Sequence, residues 1–145
     1  MIRGYTSGVF DLFHIGHLNI LRRSKEMCDY LIVGVSTDDL VFEYKGRKPV
    51  VPFSERVAIV EAIKYVGEVV PQITRDKVEA LERLHFDIMF VGDDWKNSQL
   101  FLQVEGVFKA KGVDIKYFPY TKGTSSTLMR SYLEDQTALI EGTTK

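Results

Sequence analysis

The sequence predicts an α/β fold, a parallel sheet of five strands wound on both faces by helices and forming a single domain. Three observations lead to it. Short β-rich runs alternate with helical stretches along the whole chain, the pattern of a sheet built from strand–helix–strand units. The runs LIVGV and IMFVG are continuously apolar, which suits strands covered on both faces by right-handed crossovers. No repeat, low-complexity stretch or Pro/Ser-rich linker divides the 145 residues, of which 45% are apolar and 27% charged, so one core is expected over residues 1–134 with a C-terminal tail at 135–145.

Taken in order, a first strand is read at residues 2–6 and a helix at 17–27, where apolar side chains recur at helical spacing. A strand at 30–36 follows. Residues 37–53 then read as the longest loop, a candidate lid carrying Lys45, Gly46, Arg47 and Lys48. Helix 55–65, strand 68–70, helix 77–84, strand 88–91, helix 100–109, strand 115–118 and helix 126–133 complete the alternation. In such folds ligands bind beyond the carboxyl ends of the strands, so the loops there are where chemistry is expected.

Charge and composition narrow the partners. Nineteen Lys and Arg stand against twenty Asp and Glu, a net charge of -1, so no global field holds nucleic acid or an anionic membrane. The most apolar stretch, residues 30–35, is far below the roughly 20 residues of a membrane helix. The start, MIRGYTSG, has no apolar signal-peptide core. A cytoplasmic location is expected. The single Cys28 supports neither an internal disulfide nor a cysteine-rich zinc site and reads as a small buried apolar residue.

Four segments carry candidate chemistry. The first strand runs into SGVFDLFHIGH, so His14 and His17 meet a helix N-terminus, whose free N–H groups and partial positive charge attract anions. Gly8 and Gly16 let a phosphate approach the main chain, and imidazoles there would be charge-assisted donors. The same residues also admit a metal site of Asp11, His14 and His17, or simple helix capping, although no HExxH pair is present. Arg56 heads a stripe continued by Ile59, Val60 and Ile63. A cation in a first turn calls for a nearby anion, which is either a ligand or a neighbouring carboxylate such as Glu55 or Glu61. Asp93, Asp94 and Trp95 follow the strand at 88–91, where both a ligand border and an acidic turn anchored by Trp95 fit. Gly123 leads into Ser125, Ser126 and Thr127 at a helix start. One hydroxyl suffices for a cap, so three suggest a second phosphate cradle.

SGVFDLFHIGH resembles the GxFDxxHxGH signature of the nucleotidyltransferase superfamily, and together with VGDDWK and FPYTKGTSSTLMR it is similar to the cytidylyltransferase branch over roughly residues 2–133. The resemblance implies a Rossmann-like fold. It implies that His14 and His17 contact the triphosphate and stabilise the transition state at its α-phosphorus, with Lys45 and Arg56 as further catalytic residues. Gly8, Val9, Phe10, Asp11, Gly16, Asp94, Trp95, Tyr120, Gly123, Ser125, Ser126 and Thr127 are then expected at the nucleotide, and Lys45 and Lys64 at the second substrate. The last segment also resembles the ISSTxxR motif of adenylyltransferases, with Arg130 in the arginine place.

Three positions depart from the glycerol-3-phosphate pattern: Lys64 and Tyr120 stand where arginines are usual, and Gly67 where an aspartate is. Lysine and tyrosine do not reproduce a bidentate guanidinium fork. The expected activity is therefore condensation of CTP with a small phosphomonoester, glycerol-3-phosphate-like or related, with release of pyrophosphate. Mg²⁺ is expected to ride on the triphosphate, and a homodimer is implied by the resemblance. ATP-dependent adenylyl transfer on the same scaffold is the alternative. A non-catalytic nucleotide sensor fits less well with retention of both histidines and Lys45.

Overall fold

The computed structural model describes residues 1–119 and 125–143, without the side chains of Asp94 and 137–143. Its elements are β1 (Arg3–Gly8), α1 (Ile15–Glu26), β2 (Tyr30–Ser36), α2 (Asp38–Lys45), α3 (Phe53–Glu61), β3 (Glu68–Gln72), α4 (Lys77–Leu84), β4 (Ile88–Gly92), α5 (Gln99–Ala110), β5 (Asp114–Phe118) and α6 (Ser126–Thr143), with a 3₁₀ turn at Asp93–Trp95. The five strands are all parallel in the order β3-β2-β1-β4-β5. This is the expected doubly wound, Rossmann-like sheet, and its order reverses between β1 and β4, where such folds open a binding crevice.

Strand alternation divides the core into two layers. Leu31, Val33 and Val35 of β2 join Phe90 and Phe118 in one buried cluster with Leu21 of α1 and Val60 of α3. Ile32, Tyr5 and Met89 point the other way, into a cluster with Ala80 and Leu81 of α4 and Phe101, Val104 and Phe108 of α5. Edge strand β3 carries Pro71, a position at which a missing ladder donor is tolerated. Cys28 is buried, and its Sγ donates to the Ser24 carbonyl at 3.3 Å.

Two segments differ most from expectation, and α3 also stops at Glu61 rather than at residue 65. Residues 37–53 are not one loop, because α2 forms within them. Thr37 caps its start by accepting from Leu40 N at 3.2 Å, Leu40 and Val41 are buried, and Gly46 ends it in the left-handed region at φ 74. α6 continues past residue 133 through most of the expected tail. Gly67, one of the three departures, lies flat against Tyr30, where an added Cβ would come within 2.6 Å of the ring. No helix among the described residues is long and apolar enough to cross a membrane.

Candidate functional site

The turn from β1 into α1 is built by backbone that L-residues rarely adopt. Phe10 and Leu12 both have positive φ, at 55 and 49. Phe10 buries its ring against His17, so its side chain belongs to the core while its backbone borders the site. Asp11 holds the turn. Its Oδ1 accepts from Leu12 N at 3.1 Å and Val51 N at 2.8 Å, and its Oδ2 from Val50 N at 2.8 Å and Arg130 Nη2 at 2.7 Å. Its main-chain oxygen also accepts from Ser126 Oγ at 2.5 Å. One buried carboxylate thus ties β1 to the loop before α3 and to the start of α6. Those donors, with Arg130 beside it, hold its pKa below the usual carboxylate range against the opposing effect of burial.

His14 is the N-cap of α1, and the two imidazoles form a capping box. His14 Nδ1 accepts from Gly16 N at 3.0 Å, His17 Nδ1 accepts from His14 N at 3.2 Å, and the rings stack with centroids 3.9 Å apart. With both Nδ1 atoms accepting, both protons sit on Nε2. Burial lowers the pKa of each, and that of His17 falls to about 3, with His14 adding to the shift. The expected charge-assisted imidazolium donors are therefore neutral Nε2–H donors in the ligand-free protein. Capping occupies Nδ1 of each ring and leaves Nε2 as the nitrogen that an anion could use, so the two readings, taken as alternatives, are compatible.

Arg56 is fully buried. It donates from Nε to Val51 O at 2.8 Å, from Nη1 to Val9 O at 2.7 Å and Ser36 O at 2.8 Å, and from Nη2 to Asp38 Oδ1 at 2.6 Å. The anion its position called for is Asp38, not Glu55 or Glu61. Four of its five N–H donors join the ends of β1 and β2 to α2 and α3, so it positions the site from behind.

Among the described residues, two cavities open at the carboxyl edge of the sheet. A smaller one of about 160 Å³ lies between the start of α1, the start of α6 and the loop after α2. His17, Lys45, Arg47, Lys48, Ser126, Thr127 and Arg130 line it. Among the described residues Arg130 Nε is buried there without a partner, a donor of the kind a phosphate oxygen satisfies. The larger, about 340 Å³, extends from Ser7, Gly8 and Val9 across the ends of β2, β3 and β4. Its wall includes Lys45, Arg75, Lys77, Gln72 and Trp95. Lys77 Nζ donates to Ser7 Oγ at 2.8 Å, and burial, reinforced by Arg75, lowers its pKa to about 8. Val9 and Lys45 line both cavities.

Of the expected residues, Gly8, Val9, Phe10, Asp11, His17, Lys45, Ser126 and Thr127 line one or both cavities, His14 and Gly16 line neither and sit in the α1 cap beside His17, and Ser125 caps α6 through Leu128 N at 2.9 Å. Trp95 stands in the larger cavity, packed on Phe101. Lys64 is exposed with its Nζ over the Tyr65 ring and lines neither cavity. Tyr120, Gly123 and the Asp94 side chain lie outside the described residues. Arg75 and Lys77 were not among the expected residues, because no motif surrounds them and Lys77 stood only as the first residue of the expected helix 77–84. Among the described residues no three His, Cys, Asp or Glu side chains gather to hold a metal.

Comparison with known proteins adds four likenesses. The family model described as cytidylyltransferase-like matches residues 5–132. A glycerol-3-phosphate cytidylyltransferase of Bacillus spizizenii is 36% identical over 126 residues, 86% of this chain and 92% of that protein. An FAD synthase of Thermococcus sibiricus is 36% identical over 120 residues, 82% of this chain and 81% of that one. Among solved structures, a lipopolysaccharide core biosynthesis protein from Thermoplasma volcanium superposes with a TM-score of 0.69 at 27% identity, covering 86% of this chain and 99% of its own.

Proposed function

The chain belongs to the cytidylyltransferase-like family of nucleotidyltransferases, and from that premise we propose that it transfers CMP from CTP to a small phosphomonoester. One observation carries the two-substrate reading: Lys45 stands between a cavity ringed by phosphate-binding groups and a second, larger cavity. The triphosphate occupies the smaller one, against the N-termini of α1 and α6. The phosphomonoester occupies the larger, its phosphate near Lys77.

A phosphate oxygen of the monoester attacks the α-phosphorus in line. A new P–O bond forms, the bond from that phosphorus to the bridging β-oxygen breaks, and its electron pair leaves on pyrophosphate. No protein nucleophile is needed. The His14 and His17 Nε2–H donors face the developing charge at the α-phosphate, Lys45 neutralises charge between the reacting groups, and Arg47, Lys48 and Arg130 hold the departing phosphates. Asp11 and Arg56 keep the turn and loop in register. Mg²⁺ arrives as part of the nucleotide substrate, bound by phosphate oxygens and water. The assembly proposed is a homodimer, which sedimentation velocity measures.

A second reading, adenylyl transfer from ATP, is favoured by the FAD synthase relative and by Arg130 beside the three hydroxyls. A pyrophosphate-release screen of CTP and ATP with Mg²⁺ and a panel of phosphomonoesters, FMN included, decides between them. Turnover with CTP and a larger rise in Tm with CTP than with ATP, GTP or UTP are expected. Turnover with ATP alone establishes the second reading, and equal Tm shifts with all four nucleotides remove the first.

A further inference from the structure

Building on the transfer reading, we infer that the larger cavity selects a phosphomonoester bearing a second anionic group, a carboxylate or another phosphate, and that Arg75 is the residue that engages it. Among the described residues the cavity wall carries three cations, Lys45, Arg75 and Lys77, and no Asp or Glu. The phosphate of the substrate must lie at the junction with the nucleotide cavity, next to Lys45, if it is to reach the α-phosphorus. Lys77, bonded to Ser7 at the end of β1, lines the same cavity and is the second ammonium group there. A phosphate dianion between these two ammonium groups balances them and leaves Arg75 uncompensated.

Arg75 is also held ready. Its guanidinium carbon lies 4.3 Å from the Tyr44 ring centroid and 5.6 Å from that of Trp95, a cation–π setting that orients the side chain while leaving its N–H groups free to donate. Among the described residues it makes no hydrogen bond or ion pair. The adjacent carboxylate, Asp76, is committed to capping α4 through Val78 N at 3.0 Å and Glu79 N at 3.2 Å. Glu79, one turn on, pairs with Arg83.

The same arrangement works against cationic headgroups. Tyr44 and Trp95 are the aromatic faces in this cavity suited to a quaternary ammonium, and Arg75 already attends both. Among the described residues a primary ammonium finds no carboxylate on the wall. The remaining polar lining, Ser36 donating to Gln72 Oε1 at 3.3 Å, offers hydrogen bonds to hydroxyls but no counter-charge.

A matched pair tests this, because glycerol-3-phosphate and 3-phosphoglycerate differ by a terminal hydroxymethyl against a carboxylate. With CTP as donor, kcat/KM for 3-phosphoglycerate is expected to exceed that for glycerol-3-phosphate by on the order of tenfold, the value of one charge-assisted contact. Phosphocholine and phosphoethanolamine are expected below both. Arg75→Gln, at an exposed position, should bring the pair to within about twofold while the Tm shift produced by CTP stays unchanged. Calorimetric titration of the same two compounds, with a non-reacting CTP analogue bound, separates the inference from the reading beneath it. If no transfer occurs with any nucleotide but tighter binding of 3-phosphoglycerate is seen and disappears in Arg75→Gln, the anion subsite stands and the transfer reading falls. Equal or weaker use and binding of 3-phosphoglycerate, or a preference that survives Arg75→Gln, overturns the inference.

Discussion

The two corners of the site, the β1–α1 turn and the β3–α4 turn, use their polar groups in opposite ways. At the first, nearly every recognisable residue is engaged with the chain itself. Asp11 accepts four donors on its carboxylate, Arg56 gives four, and both histidines bond main-chain N–H groups through Nδ1. At the second, Lys77 makes a single hydrogen bond to Ser7 and Arg75 rests only on aromatic faces. Motif density marks where a strained turn needs holding, whereas donors to spare are found on the cations of the second corner.

The sharpest way to break this comparison is Arg56→Ala. Removing one partner of a buried pair leaves Asp38 and three carbonyls without their donor, a loss of about 3–5 kcal/mol, read as a drop in Tm and in urea midpoint. A variant that keeps its stability and loses only activity would make Arg56 a ligand group like those of the second corner. Next come His14→Ala and His17→Ala, each expected to lower kcat by at least about a hundredfold in steady-state assays, with smaller stability losses.

His17 adds a pH signature. Its folded pKa of about 3 lies below its ordinary 6.5, so in that interval the unfolded chain binds a proton the folded one refuses. Stability therefore falls as pH drops from about 6.5 toward about 3, and His17→Gln should flatten that part of a urea-midpoint profile.

Lys77→Met sharpens the comparison from the other side, raising the phosphomonoester KM roughly tenfold while the CTP KM stays within about twofold, as loss of a single charged contact predicts. In the unaltered protein the same KM should climb above pH 8, because the lysine loses its proton at about 8 rather than 10.5. The smallest effect is expected from Lys64→Ala, whose exposed side chain lines neither cavity: a change in kcat/KM below about twofold, within the range of surface substitutions. A larger change would place Lys64 in a site shared between two copies of the chain.

The sheet was legible because its strands are continuously apolar, a signal local in sequence. α2 escaped because it is only eight residues long and opens on two aspartates, which blur a helical period. Its boundary residues, Thr37 and Gly46, did carry cap and stop signals. Within the site, the histidine pair is spelled out along eleven residues, whereas Lys77 meets Ser7 across 70 residues of chain, a proximity made by sheet order alone. Arg56 showed in sequence that it needed an anion. That the anion is Asp38, in a helix the sequence did not reveal, followed only from the fold.

The tether between Asp11 and α6 has a consequence for the order in which the protein comes into being. None of the described α6 residues belongs to either buried cluster, and Leu128, Met129, Tyr132 and Leu133 are exposed. Ser126 and Arg130 fasten the helix to Asp11, 115 and 119 positions earlier. During synthesis, which proceeds from the N-terminus, all five strands and both apolar layers are in hand before α6 emerges. The nascent protein acquires its shape first and, on the proposed reading, its phosphate site last, when α6 closes onto a carboxylate made near the beginning.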